Sequence, residues 1–212
     1  SVTWSSDVCS SDLRPLLTCF HGFGVSHLDI AFNTSFLAEA DQRDWFLIAP
    51  FQVSTAGNAQ VNYASTQSQE HVEAVITWVM RHYDIDRSRM YGVGFSMGGG
   101  SAMSYAARHR DRATGAFAAV VNHTGTVALG DVYANAIPGV QAEMELIFGG
   151  PPSQRPFEYQ RSSVIDLDAS GVVIPGGRHM AQNLVDVPVR TYYGIGDPQQ
   201  ELVNQCMELD SY

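Results

Sequence analysis

The stretch Met90-Tyr91-Gly92-Val93-Gly94-Phe95-Ser96-Met97-Gly98-Gly99-Gly100 decides the reading of this chain. Met90 to Phe95 is a short apolar run with strand character, and Ala102 to Arg110 beyond the glycines has helical spacing. A serine set between glycines at such a junction implies a sharp turn. It takes a strained backbone conformation and lifts the serine hydroxyl above the sheet edge. Residues two before and two after must be tiny, because strand and helix close on each other there, and Gly94 and Gly98 meet that need. The five-residue pattern is weak alone; the strand before it and the helix after it give it weight.

The rest of the chain supplies the same alternation. Leu16 to Phe20 reads as a buried strand ending at His21-Gly22, and Trp45 to Ala49 as a second strand stopped by Pro50. Ala116 to Val121 and Val189 to Tyr193 read as a fourth and a fifth. Helical spacing runs over residues 28–40 and, most clearly, over Thr66 to His82, where Val72, Val75, Ile76, Val79 and Tyr83 form one stripe. Val203, Cys206 and Met207 suggest a terminal helix. Strands alternating with amphipathic helices predict an α/β fold, a mostly parallel sheet with helices on both faces. Residues 127–186 have weak periodicity and the breakers Pro138, Gly149-Gly150-Pro151-Pro152 and Pro175-Gly176-Gly177. The expectation there is an insertion or lid between two core strands.

Composition bounds the function. The chain has 212 residues, 45% hydrophobic and 16% charged, enough for one core. The formal charge is −10, and all twelve bases are arginine. A nucleic-acid binder needs a basic face, so this balance argues against one. Without lysine there is no Schiff-base lysine and no phosphate-binding lysine loop. No two histidines stand at ligand spacing around a helical glutamate, so no metal site is expected, nor any cofactor. No apolar run reaches the length of a transmembrane helix. Residues 1–13 read as a non-native tail: Trp4 to Leu13 resembles a translated sequencing adapter, and removing Asp7 and Asp12 leaves a charge of −8. Only Cys19 and Cys206 then remain, too few for a disulfide scaffold.

Two further elements carry chemistry. His21-Gly22-Phe23-Gly24 closes the first strand, where a loop can offer backbone N–H groups to a developing oxyanion. The donors expected are the amides of Met97, after the serine, and Phe23; His21 is expected to orient the loop. Gly194-Ile195-Gly196-Asp197-Pro198 follows the fifth strand, where a carboxylate can hold a catalytic imidazole, or equally cap the next helix.

With these elements in this order, the chain resembles the α/β-hydrolases. More narrowly it is similar to the polyhydroxybutyrate-depolymerase and feruloyl-esterase type and to prolyl-oligopeptidase-like esterases. The resemblance rests on the His21-Gly22 loop, Ala38-Glu39-Ala40-Asp41 before Trp45 to Pro50, Tyr83 to Arg89 leading to the serine turn, and Val187-Pro188-Val189 leading to Asp197. It implies Ser96 as nucleophile, Asp197 as the acid, an ester substrate of small or polymeric kind, and a subgroup that is often secreted. In that family the histidine follows the acid, yet the seven histidines (21, 27, 71, 82, 109, 123 and 179) all precede Asp197. The expectation is truncation at both ends and a nearly inactive chain. The alternative is His123 or His179 serving with Asp131 or Asp166. Rival readings are a peptidase, a non-catalytic hydrolase-like binding module, and a dinucleotide-binding domain. The glycine spacing around Gly92 and Gly94 does not match the last of these.

Overall fold

The computed structural model describes residues 13–52, 60–177 and 179–212. The adapter-like tail, Leu13 excepted, lies outside the described residues. Five parallel strands form one sheet: β1 (Arg14–Phe20), β2 (Phe46–Ile48), β3 (Ile85–Phe95), β4 (Ala119–His123) and β5 (Val189–Tyr192), in the spatial order β2-β1-β3-β4-β5. Because the strands are parallel, each connection must cross over, and helices fill the crossovers. All five carboxyl ends therefore meet at one edge, where the loops gather.

Side-chain alternation divides the sheet into two faces. Leu16, Phe20, Met90 and Val120 pack with α3 (Thr66–His82) and α4 (Met97–Arg108) in the largest core cluster. Cys19 and Val93 point the other way, toward Ile30 of α1 (Asp29–Asn33) and Phe36 of α2 (Phe36–Gln42). Val72, Ile76 and Val79 of α3 are buried as the stripe implies, and Ser65 caps the helix by accepting the Ser68 N–H at 3.4 Å. Central β3 keeps glycine at position 92 because the Phe117 ring stands 2.6 Å from where a Cβ would be.

The structure corrects five sequence boundaries, the first being the third strand, which begins at Ile85 rather than Met90. Residues 28–40 form two short helices, α1 and α2. Between them Thr34 Oγ1 donates to Ile30 O and accepts the Phe36 N–H, so a side chain takes over backbone bonds a continuous helix would use. The helix after the serine begins at Met97 rather than Ala102, three glycines notwithstanding. The fourth strand is β4, Ala119–His123, not Ala116 to Val121, since the chain enters it through a left-handed Gly115 (φ 104°). The second strand is only Phe46–Ile48.

Residues 127–186, read as weakly periodic, hold three helices: α5 (Leu129–Asn135), α6 (Pro138–Phe148) and α7 (Pro156–Ser162). Pro138, taken as a breaker, opens α6, and Pro156 opens α7, where a missing N–H costs nothing. Gly149 closes α6 in a left-handed conformation, φ 81°. The last helix, α8 (Gln200–Ser211), buries Leu202, Val203 and Cys206. No helix among the described residues is long and apolar enough to cross a membrane.

Candidate active site

Ser96 joins β3 to α4 with φ 53° and ψ −124°, a backbone region that side chains rarely occupy. Backbone hydrogen bonds hold it there. Its N–H donates to His123 O at 2.9 Å, and its carbonyl accepts the N–H groups of Gly99 at 2.9 Å and Thr126 at 3.2 Å. A Cβ on Gly94 would lie 2.1 Å from Gly98 O, and one on Gly98 would lie 2.1 Å from Phe20 O. Both glycines are thus required by the close approach of strand, turn and helix. The strain itself is measurable. Replacing Ser96 with Gly should raise stability by about 1 kcal/mol, because glycine adopts this conformation without steric cost. Urea unfolding should show a higher midpoint at unchanged m-value; an unchanged or lower midpoint would mean that the turn is relaxed.

The contact at Gly98 also brings α4 against the end of β1, next to the His21 loop. Gly24 in that loop has φ 68° and so favours glycine, whereas a Cβ on Gly22 would meet nothing closer than 3.7 Å. His21 is fully buried, its ring nitrogens facing Gly22 O at 2.9 Å and Phe51 O at 3.2 Å, which ties the loop to the segment after β2. A cavity of about 320 Å³ opens above the turn, and Ser96, Met97 and Phe23 all line it. The amide of Met97 is the first of α4, where N–H groups lack helical partners and the helix dipole is positive.

Tyr63 forms another wall, its ring 6.0 Å from that of Phe23. Tyr63 and Ala64 both have positive φ, 42° and 53°. The turn is anchored by Asn62, whose N–H donates to Met97 Sδ at 3.4 Å and whose Oδ1 accepts from Ala64 N at 3.1 Å and Ser101 Oγ at 3.2 Å. Burial, reinforced by Glu143, holds the Tyr63 hydroxyl well above the usual phenol range, so it is neutral. Val132 of α5 and Val140 of α6 complete the apolar side. Sequence reasoning missed these groups.

Asp197 stands after β5, at the same sheet edge, but is not among the residues lining the cavity; Gln199, Glu201 and Leu202 are. Its Oδ1 accepts the Gln199 N–H at 2.9 Å, so here the carboxylate stabilises the entry to α8. Among the described residues no histidine lines the cavity either. His123 belongs to the sheet face opposite α4, its ring 5.1 Å from Phe95, while its backbone alone serves the turn. His179 is buried, with Nδ1 accepting from Asp166 N at 3.0 Å and Nε2 donating to Ile174 O at 2.8 Å, a neutral ring fully engaged by backbone. Asp166 has its carboxyl shifted upward by burial, and Asp131 accepts from Gln205 at 2.7 Å; neither lines the cavity.

No family model and no curated protein sequence matches the chain. Solved structures do match. An S-formylglutathione hydrolase from Agrobacterium tumefaciens superposes with a TM-score of 0.54 at 14% identity, covering 94% of this chain and 82% of the other. A fluorophosphonate-binding serine hydrolase from Staphylococcus aureus gives 0.54 at 16%, over 97% and 84%. A ferulic acid esterase gives 0.60 at 15%, over 94% and 72%. At such identities the likeness is one of fold: the chain has the α/β-hydrolase fold, as the sequence resemblance implied.

Proposed function

We propose that this protein is a serine hydrolase that cleaves carboxylic esters through an acyl-enzyme on Ser96. The observation that carries the reading is Ser96 itself, a strained residue between β3 and α4 whose side chain lines a mainly apolar cavity beside the first amide of a helix. In the reaction the Oγ of Ser96 attacks the acyl carbon, its proton passes through a base or solvent to the leaving alcohol, and the carbonyl oxygen becomes an oxyanion. The N–H groups of Met97 and Phe23 stabilise that charge. The alcohol departs with a proton, and water then releases the acid. In this reading Asp197 takes the role of the acid that orients an imidazole, which requires it to give up its bond to Gln199. Esterases and serine hydrolases among the structural neighbours support the reaction class, and a prolyl-oligopeptidase-like peptidase remains the alternative within it.

A second reading has its own support: no histidine stands among the described residues of the cavity lining, which favours a hydrolase-like binding module. Covalent labelling of Ser96 separates the two.

In the hydrolase reading the 127–186 segment acts as a lid and sets selectivity, because α5 and α6 wall the cavity. Val140→Trp should fill the space and lower the rate with hexanoyl esters about tenfold relative to acetyl esters. Equal effects on both chain lengths would place the acyl group elsewhere.

A further inference from the structure

The walls around Ser96 are apolar where Tyr63, Val132, Val140 and Leu202 face the cavity, and neutral where Asn135 and Gln199 do. Among the described residues Glu201 is the only charged one in the lining, and no arginine stands there. Glu201 lies in the first turn of α8, half-buried, and takes part in no ion pair among the described residues. A second carboxylate stands behind the wall. Glu143 on α6 has Oε2 buried without a hydrogen-bond partner among the described residues, and its charge reaches the Tyr63 hydroxyl, whose proton it helps retain.

The electrostatics of an incoming acyl group follow from this arrangement. A carboxylate carried on the acyl chain would lose water in an apolar pocket and find no cation among the described lining residues to replace it. It would also meet Glu201 at short range, where the reduced dielectric strengthens like-charge repulsion. Unpaired charge built into a site excludes a competitor as effectively as attraction selects a substrate.

We propose that Glu201, backed by Glu143, makes this cavity a charge filter, so that the protein acts on esters with neutral or cationic acyl groups and rejects anionic ones. The inference rests on Ser96 being the nucleophile of this cavity.

The test compares para-nitrophenyl hexanoate with the mono-para-nitrophenyl ester of adipic acid, which has the same chain length and ends in a carboxylate. Nitrophenolate release is followed over the first turnover at stoichiometric protein, with Ser96→Ala as the blank. The expected Ser96-dependent rate is higher for hexanoate by about thirtyfold at low ionic strength, and Glu201→Gln narrows the gap about tenfold. In the unaltered protein, salt should narrow the gap as well, which needs no variant to fold. A gap that is absent, or that neither salt nor Glu201→Gln changes, would overturn the filter while Ser96→Ala still removes hexanoate hydrolysis. If Ser96→Ala leaves both rates unchanged, the nucleophile assignment fails and the filter falls with it.

Discussion

Gly98→Ala is expected to destabilise the protein by about 3 kcal/mol or more and to abolish reaction at Ser96. The added methyl would sit 2.1 Å from Phe20 O and 2.5 Å from His21 O. Both are backbone atoms, so no side chain can swing aside. The clash can be relieved only if α4 withdraws from the end of β1. That movement would separate the Met97 amide from the His21 loop and so pull apart the two proposed oxyanion donors, Met97 and Phe23. Gly22→Ala is the matched control, since its nearest new neighbour would be Phe95 O at 3.7 Å. Its unfolding midpoint should stay within about 0.5 kcal/mol of the parent. Equal stability for both variants would show that the helix does not lie against the strand end as described.

The second large effect concerns the missing base. Serine is a weak nucleophile until a neighbouring group takes its proton, and positioned general bases contribute about 10²- to 10⁴-fold. With no histidine lining the cavity, the chain should acylate slowly and show no sustained turnover of para-nitrophenyl acetate. Removing Ser96 should erase what reaction there is. His27→Gln and His123→Gln should leave it within about twofold, because neither ring lines the cavity. A hundredfold loss in either variant would identify that histidine as the base and overturn this part of the reading.

Much of this was legible from the sequence because it depends on local chemistry. The Ser96 turn, the glycine loop at Phe23 and the α3 stripe each lie within a few residues, where spacing and sterics set the outcome. The cavity walls were not legible, for a physical reason. Tyr63 reaches the site only because Asn62 grips Met97, thirty-five residues away along the chain. The strained φ values of Tyr63 and Ala64 carry no signature in residue type. Residues 127–186 were obscured differently: α5 and α7 have seven residues each, too short to display a period. Pro138 was also taken for a stop when it is a start. Asp197 stayed ambiguous because a strand-end aspartate before a helix can either cap or catalyse; in this structure it caps.

The central claim is that the residue held in the strained turn is the nucleophile. An alkyl fluorophosphonate tests it directly, since Oγ displaces fluoride and leaves a stable adduct that intact-mass measurement counts and peptide mapping places. The account predicts one adduct per chain, at Ser96, forming slowly and absent from Ser96→Ala. An adduct that persists undiminished in Ser96→Ala, or that maps to another residue, would contradict it.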